Sequence, residues 1–300
     1  MINKFFDYVE IRTKITSTFA FLMSIAYLLY VEATIDWKLT IIFFASMFIF
    51  DLTTTAINNY IDTKTNGQRL QFERKTALMI IYVLFGISAG LGLYLAFLTD
   101  IIIFLLGGIC FLCGVFYTFG PIPISRLPLG EFFSGLFYGL LIPFIMLYIN
   151  MDAATFISLN LSLETISISL NVMPFIKVFL LSIVPFCVTA NIMLANNTCD
   201  LQKDILVKRY TLPYYLGNKA LYLFAVLYYL CYVAVIIMVI FKILHPICLL
   251  IFLTLILVQK NINEFYKVQD KQKTFIVSIK NYMIIMGSLS LLIFISSIIS

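Results

Sequence analysis

Two polar stretches with the pattern Asn-Asn-x-x-Asp have the residue types and the spacing to bind a metal ion. They cover residues 58–62 and 196–200, and each lies at the end of an apolar run. A polar residue follows each stretch four positions on, Asn66 and Asp204, so a continuing helix would place each set on one face. Oxygen ligands suit hard cations, and Mg²⁺ is usually held by one or two carboxylates together with substrate phosphates. The repeat therefore predicts one site built from two halves. The candidate metal ligands are Asn58, Asp62, Asp200 and Asp204.

Basic residues are interleaved with these acids, and the combination describes a diphosphate site. A metal ion neutralises a diphosphate leaving group and so favours its departure, while the fork of an arginine binds two phosphate oxygens. For any single base the alternative is a solvated or lipid-contacting side chain, because cytoplasmic loops of membrane proteins are rich in Lys and Arg. The candidate diphosphate-binding residues are Arg12, Lys64, Arg69, Lys208 and Arg209.

One further acid, Asp51, lies in the middle of an apolar run. It precedes Asn58 by two helical turns on the same face, which places it about two turns inside the predicted membrane boundary. An ionisable group at that depth is costly and is a functional candidate. Two interpretations stay open: a structural hydrogen bond to a neighbouring Thr or Tyr, and a contact with metal or substrate.

The connection of residues 117–131 is rich in proline and glycine, which rules out a continuous helix. Irregular backbone at membrane depth is tolerated where it is buried or lines a cavity, and Tyr117 and Glu131 would flank that cavity. The Tyr117 ring is a candidate to stabilise a carbocation. For Glu131 the alternative is a favourable acid in the first turn of a helix. The candidate substrate-binding residues are Asp51, Arg126, Glu131, Asn196 and Asn197.

The composition identifies the kind of protein that must position these residues. Of the 300 residues, 62% are hydrophobic and 12% are charged, against about 25% charged in ordinary globular domains. Several apolar runs approach the roughly 20 residues that a membrane-crossing helix needs. We expect a helical, multi-pass protein of the cell membrane, a single domain over residues 1–300, with the lipid bilayer and no nucleic acid as a partner. Asp7 and Glu10 interrupt the first residues, so we expect no cleavable signal sequence.

The charge pattern predicts how the apolar runs are oriented. With the N-terminus in the cytoplasm, nearly all basic residues fall in cytoplasmic segments, and only Lys38, Lys177 and Lys242 fall outside. Both Asn-Asn-x-x-Asp stretches then lie on the cytoplasmic side, after the second and the sixth helix, and the C-terminus lies outside. The outer segment 151–173 could hold a short surface helix. The nine predicted transmembrane helices cover about residues 15–34, 38–57, 77–99, 101–118, 131–150, 174–195, 220–241, 245–259 and 281–299.

The two polar stretches resemble the two aspartate-rich motifs of the UbiA-type intramembrane prenyltransferases. Those motifs, Asn-Asp-x-x-Asp-x-x-x-Asp and Asp-x-x-x-Asp, follow the second and the sixth of nine helices, and residues 58–66 and 200–204 are similar to them. The connection 117–131 and the pair Asn196-Asn197 look most like the 1,4-dihydroxy-2-naphthoate polyprenyltransferases of menaquinone biosynthesis.

Two flanking segments extend this resemblance to about residues 10–220. Residues 210–217 are similar to the Thr-Leu-Pro-x-x-x-Gly segment of the naphthoate enzymes, and Arg12-Thr13-Lys14 is similar to the basic residues that precede their first helix.

The resemblance implies an all-α bundle of nine transmembrane helices around a central cavity that opens to the cytoplasmic face. It implies an Mg²⁺-dependent transfer of a polyprenyl group from an allylic diphosphate to an aromatic acceptor. For 1,4-dihydroxy-2-naphthoate as acceptor, the reaction loses CO₂ and gives demethylmenaquinone. The catalytic candidates are then Asp62, Asp200, Asp204 and Tyr117.

Departures from the family pattern keep other functions open. Asn59 and Asn66 stand where the family usually has Asp, and Cys199 stands where the naphthoate enzymes usually have Arg, a loss that Arg209 or Lys208 could replace. One alternative is a prenyltransferase for another quinone or lipid acceptor. An alternative from a different class is a transporter with a cation site near its cytoplasmic mouth, although the polar residues cluster at one face rather than at mid-membrane.

Overall fold

The computed structural model describes residues 2–64, 69–120, 123–152, 155–161 and 164–299, and these are mostly helical. The α-helices, in chain order, are α1 (Ile2–Tyr8), α2 (Ile15–Tyr30), α3 (Trp37–Asp62), α4 (Arg74–Leu98), α5 (Ile101–Phe116), α6 (Gly130–Ser134), α7 (Ile142–Asn150), α8 (Val172–Leu206), α9 (Leu212–Leu216), α10 (Lys219–Ile240), α11 (Leu255–Lys267) and α12 (Ile276–Ile299). Shorter-pitched 3₁₀ turns cover Ile11–Lys14, Ile124–Arg126 and Pro246–Thr254, and a π-helical segment covers Gly135–Leu141.

Within the described ranges, seven helical segments are long and apolar enough to cross a membrane, which fits a multi-pass membrane protein. The first and fourth predicted spans correspond to α2 and α5, which have 16 residues each and fall short of the roughly 20 that a perpendicular crossing requires. The nine-helix topology therefore stays a prediction. The seven segments are Trp37–Asp62, Arg74–Leu98, Gly130–Asn150, Val172–Leu206, Lys219–Ile240, Pro246–Lys267 and Ile276–Ile299.

The outer segment 151–173 contains a β-hairpin, so the expected surface helix was wrong and the fold is not purely α-helical. Strand β1 (Ile157–Leu161) pairs antiparallel with β2 (Ile166–Leu170), with Ile157 opposite Leu170. The physical reason is visible in the sequence, Ile-Ser-Leu-Asn-Leu and Ile-Ser-Ile-Ser-Leu, since apolar and polar residues alternate with the period of a strand.

The main packing contacts join α3 to α4, α8 to α10, and α2 to α12. The last of these pairs brings together residues far apart in the sequence, and the Tyr282 hydroxyl on α12 donates to the Thr16 carbonyl on α2 at 2.8 Å. The π-helical segment packs directly on α8: a Cβ added to Gly139 would lie 2.3 Å from the backbone of Phe186. Small residues at helix interfaces allow this close approach in membrane proteins.

The short helix α1 packs at the end of α3 and α4 through Tyr8. The buried Tyr8 hydroxyl donates to the carbonyls of Ala56 at 3.0 Å and Ala77 at 3.3 Å. Burial raises the pKa of Tyr8, so the hydroxyl stays protonated and keeps both hydrogen bonds. This packing holds the segment that precedes α2 beside the end of α3, where the first polar stretch lies.

Candidate active site

Helix α8 runs without interruption through the second polar stretch. It spans Val172–Leu206, so Asn196, Asp200 and Asp204 lie one above the other on one helical face, as their spacing predicts. Helix α3 ends at Asp62 and includes Asn58, whereas Asn66 lies outside the described residues.

The ends of α3 and α8 carry one acid from each polar stretch, Asp62 and Asp204. Arg209 Nη1 lies 3.8 Å from Asp204 Oδ1, and its guanidinium is within electrostatic range of Asp62 as well. The convergence of the two complete stretches on one site stays a prediction.

Arg209 is held in place by its backbone and by its own side chain. Its Nε donates to the Ser125 carbonyl at 2.8 Å, and its backbone nitrogen donates to the Asp204 carbonyl at 2.8 Å. The next backbone nitrogen, that of Tyr210, donates to the Arg126 carbonyl at 3.3 Å. These bonds fasten the irregular connection to the end of α8 and leave the rest of the guanidinium fork beside the acids.

The irregular connection contacts the first polar stretch as well. In its described part, only a 3₁₀ turn at Ile124–Arg126 interrupts the irregular backbone between α5 and α6, and the Ser125 nitrogen donates to the Tyr117 carbonyl at 2.8 Å. The Thr118 hydroxyl donates to Asn58 Oδ1. The amide oxygen of Asn58, a predicted metal ligand, is thus engaged by a hydroxyl in this structure.

Glu131 and Asn197 form a buried polar pair that joins α6 to α8. Asn197 Nδ2 donates to Glu131 Oε1 at 2.8 Å. Glu131 Oε2 and Asn197 Oδ1 are also buried, and neither has a hydrogen-bond partner among the described residues. Tyr117 is next to this pair, since a Cβ added to Gly130 would lie 3.1 Å from its hydroxyl and 3.8 Å from Asn197 Nδ2. Two oxygens that can accept hydrogen bonds therefore lie near an aromatic ring.

Asp51 belongs to a separate buried cluster. Its Oδ1 accepts from Lys14 Nζ and from the Tyr138 hydroxyl, each at 2.8 Å, and its Oδ2 accepts from Ser17 Oγ at 2.7 Å. Lys14 also donates to the Thr55 hydroxyl. Of the two interpretations left open for Asp51, these contacts favour the structural one, because both carboxylate oxygens are engaged within the bundle.

The predicted diphosphate-binding bases, apart from Arg209, are exposed at the surface. Lys64 lies over the Tyr60 ring at 5.1 Å, and Lys208 adopts a left-handed backbone conformation with φ of 56°. Asn59 Nδ2 donates to Glu10 Oε1 at 3.2 Å, which places the segment bearing Arg12 next to the first polar stretch. The exposed set comprises Arg12, Lys64, Arg69 and Lys208, and the substrate-binding candidate Arg126 is exposed as well.

Lys271 is a site residue that sequence reasoning missed. Its Nζ donates to Asp200 Oδ2 at 2.7 Å and to Asn196 Oδ1, and it lies 4.7 Å from the centre of the Phe275 ring. Lys271 comes from the segment between α11 and α12, which also carries Lys273. Lysines are expected in a cytoplasmic segment of the predicted topology, so neither spacing nor composition distinguishes Lys271 from its neighbours.

The donor set fits a magnesium ion that arrives with a diphosphate. Among the described residues, no three His, Cys, Asp or Glu side chains are grouped closely enough to hold a metal ion by themselves. Asp204 Oδ2, however, is buried without a hydrogen-bond partner in the described part of the chain, and the charge of Asp62 is within range of Asp204. One or two carboxylates completed by phosphate oxygens are the usual ligands of Mg²⁺.

Comparison with known proteins gives one family and a consistent fold. A model of the UbiA prenyltransferase family matches residues 18–283. The curated 1,4-dihydroxy-2-naphthoate octaprenyltransferase of Bacillus subtilis (strain 168) is 29% identical over 182 residues, which cover 60% of this chain and 52% of that protein. The matched region thus spans about half the length of that relative.

Solved structures resemble the whole bundle. A UbiA homolog from Aeropyrum pernix K1 has a TM-score of 0.65 at 15% identity, covering 95% of this chain and 98% of that one. A UbiA homolog from Archaeoglobus fulgidus, bound to DMAPP and Mg²⁺, has a TM-score of 0.57 at 12% identity, covering 96% of this chain and 99% of that one. At these identities the similarity is one of fold.

Proposed function

The chain belongs to the UbiA prenyltransferase family, and from this premise we propose that it transfers a polyprenyl group from an allylic diphosphate to an aromatic acceptor. The observation that carries the proposal is the contact of Arg209 Nη1 with Asp204 Oδ1 at 3.8 Å, beside a connection that holds Arg209 through Ser125 and hydrogen-bonds to Asn58 of the first polar stretch through Thr118. Family membership favours this enzyme over the transporter that the sequence had left open.

We propose Mg²⁺ as the cofactor, held by Asp62, Asp200 and Asp204 with help from Asn58. When bound, it would supply positive charge that stabilises the departing diphosphate. Arg209 contributes a second, fixed positive charge at the same place, because Ser125 and the end of α8 hold its guanidinium. The exposed bases Arg12, Lys64, Arg69 and Lys208 are the proposed outer contacts of the diphosphate.

The chemical step breaks the allylic carbon–oxygen bond, and the bonding electron pair leaves on the diphosphate. The ring of Tyr117 is the proposed stabiliser of the allylic cation through its π face. A ring carbon of the acceptor then forms the new carbon–carbon bond. For 1,4-dihydroxy-2-naphthoate, the new bond forms at the ring carbon that carries the carboxyl group. Loss of CO₂ and of the carboxyl proton then returns the electron pair of the broken carbon–carbon bond to the ring and gives the quinol form of demethylmenaquinone.

The proposed acceptor rests on two supports. The Bacillus subtilis relative, at 29% identity, is named for 1,4-dihydroxy-2-naphthoate. The buried oxygens of Glu131 and Asn197 could accept hydrogen bonds from the hydroxyl groups of such an acceptor. Arg126 and Asn196 are the remaining proposed substrate contacts, whereas Asp51 is engaged elsewhere.

We propose that the site faces the cytoplasm, in a bundle of nine transmembrane helices whose central cavity opens on that side. The support is the distribution of charge, since the basic residues of the described chain are concentrated in the segments that join the helices at the acid-bearing end. On this topology the N-terminus is cytoplasmic and the C-terminus is outside.

The decisive experiment uses membranes that contain this protein. They are supplied with 1,4-dihydroxy-2-naphthoate, a short prenyl diphosphate and Mg²⁺, and the product is identified by mass. We expect prenylated, decarboxylated product that disappears when EDTA removes the metal. Product with another quinone precursor or a lipid acceptor alone would correct the acceptor and keep the reaction class. Inertness with every acceptor would overturn the proposed function.

A further inference from the structure

We propose that Lys271 competes with the divalent cation for Asp200 and Asn196, so that the metal is bound at this pair only together with a diphosphate. The inference deepens the proposed function and rests on it. We call the face of α8 formed by Asn196, Asp200 and Asp204 the acid stripe. On this proposal, the ammonium of Lys271 occupies one end of the acid stripe in the unliganded protein, although Lys271 lies outside both polar stretches.

The Lys271 ammonium binds side-chain oxygens of the kind that a metal ion would bind. The Lys271 ammonium approaches Asp200 Oδ2 at 2.7 Å and also contacts Asn196 Oδ1, so it uses the two oxygen-bearing side chains one turn apart on α8. An ammonium has three donors and no acceptor, and two of the three are spent on these oxygens. A cation and the ammonium cannot both take these ligands, because they would occupy the same space with charges of the same sign.

The segment that carries Lys271 is held rigidly by its own hydrogen bonds. Asp270 Oδ1 accepts from the backbone nitrogens of Gln272 at 2.9 Å and Lys273 at 2.8 Å. The Thr274 hydroxyl donates to the Val268 carbonyl at 2.8 Å and accepts from the Asp270 nitrogen at 2.9 Å. None of these bonds uses the Lys271 side chain. The lysine can therefore be changed without dismantling the turn that presents it.

Asp204 provides the contrast within the same stripe. Its Oδ2 is buried without a hydrogen-bond partner among the described residues, and its nearest cationic group is Arg209, 3.8 Å from the other oxygen. Asp200 has a direct ammonium contact at 2.7 Å. The two acids, one turn apart, thus differ in how readily they can accept a metal ion. Asp204 keeps one oxygen with no hydrogen-bond partner among the described residues, whereas Asp200 must first release Lys271.

A diphosphate resolves this competition, because its oxygens can bind the Lys271 ammonium that the metal displaces from Asp200. Metal alone at Asp200 would leave the ammonium beside a divalent cation, with the carboxylate shared between them. A diphosphate brings several oxygens that can accept hydrogen bonds from the freed ammonium and can complete the metal coordination. Lys271 would then exchange a carboxylate for a phosphate oxygen, and the metal would take its place at Asp200.

The first test measures Mn²⁺ binding, without any diphosphate, to purified protein by electron paramagnetic resonance. Lys271→Gln removes the charge and keeps most of the length, Lys271→Arg keeps a cation, and Lys273→Gln is the matched control from the same turn, where the side chain is exposed. We expect Lys271→Gln to bind Mn²⁺ roughly three- to tenfold more tightly than the wild type, since a charge-assisted contact no longer competes. The arginine and control variants should bind as the wild type does.

The second test separates competition from a loosened structure. In prenyl transfer by Lys271→Gln, we expect the half-saturating Mg²⁺ concentration to fall while KM for the prenyl diphosphate rises, because the variant loses a competitor for the metal and a partner for the phosphate. A structural loosening would raise both. Melting temperatures measured in parallel show that each variant is folded.

The outcomes distinguish this inference from the function on which it rests. Unchanged or weaker Mn²⁺ binding by Lys271→Gln, or no Mn²⁺ bound by wild type and variant alike, would overturn the role of Lys271 even if the wild type transfers prenyl groups. Tighter Mn²⁺ binding by the variant, in a protein that transfers no prenyl group to any acceptor, would keep the competition and overturn the proposed function.

Discussion

Lys14 Nζ lies 2.8 Å from Asp51 Oδ1, and both side chains are almost fully buried, with 4% and 5% of their surface exposed. The ion pair joins the 3₁₀ turn before α2 to α3, and the Tyr138 hydroxyl links the π-helical segment to it. In a buried pair of this kind each charge neutralises the other. Removal of one partner is therefore costly, because it leaves an unpaired charge in the interior.

We therefore expect Asp51→Leu and Lys14→Met each to destabilise the protein strongly, by about 3–5 kcal/mol. The double variant Lys14→Met with Asp51→Leu should recover much of this loss, since neither charge remains. Melting in detergent for the two single variants and the double variant measures the coupling. Additive losses would contradict the assignment of Asp51 to a structural pair and would return it to the substrate candidates.

Asp204 and Asp200 are expected to be needed for prenyl transfer. Asp204→Asn and Asp200→Asn should each lower kcat/KM at least about a hundredfold, since even groups that only support metal ligands cost 10- to 100-fold when removed. Glu264→Gln, at an exposed position on α11, is the control for the loss of one carboxylate. Wild-type rates in both Asn variants would show that the acid stripe is not the metal site.

Arg209 should not be replaceable by lysine. Lys cannot reproduce both the Nε contact to the Ser125 carbonyl and the fork directed at the acids. We expect Arg209→Lys to lower kcat/KM for the prenyl diphosphate roughly tenfold, with the loss mainly in KM. Lys208→Ala, one residue away and exposed, should have a smaller effect. Steady-state rates at varied diphosphate concentration compare the two, and a larger loss in Lys208→Ala would reverse their ranking.

Tyr117 should act through its ring rather than its hydroxyl. The hydroxyl is already engaged within the protein, by Met193 Sδ at 3.8 Å and by the Ser134 side chain. We expect Tyr117→Phe to keep most of the prenyl-transfer rate and Tyr117→Leu to lose roughly tenfold, the scale of a desolvated cation–π contact. Single-turnover rates measure the chemical step directly. Equal losses in both variants would assign the role to the hydroxyl.

Gly139 should tolerate no side chain. A Cβ there would lie 2.3 Å from backbone atoms of Phe186, which cannot move without displacing α8. We expect Gly139→Ala to destabilise the protein by about 1–3 kcal/mol, the usual cost of overpacking. Gly107→Ala on α5 is the matched control, because no atom lies within 4 Å of the added Cβ. Equal melting temperatures for the two variants would contradict the close packing of α8 on the π-helical segment.

The parts of the site that could be predicted from the sequence are those that depend on residues a few positions apart. Asn196, Asp200 and Asp204 recur every four residues, so one helix suffices to align them, and α8 does so. The irregular connection after α5 was predictable for the same reason, since proline and glycine act on the backbone where they stand.

Contacts between distant segments were beyond such reasoning. Lys271 and Asp200 are 71 residues apart, and Lys14 and Asp51 are 37 apart. No periodicity distinguishes either lysine from its neighbours. The hairpin differs from these cases, because its sequence alternates apolar and polar residues with the period of a β-strand. This pattern was available in the sequence, although a short surface helix was expected there.

The packing of α12 against α2 constrains how the protein can be made. The Tyr282 hydroxyl and the Thr16 carbonyl are separated by 266 residues, so this contact cannot form until the chain between them has been synthesised. The face of α2 that packs on α12 therefore stays uncovered while the intervening helices are made.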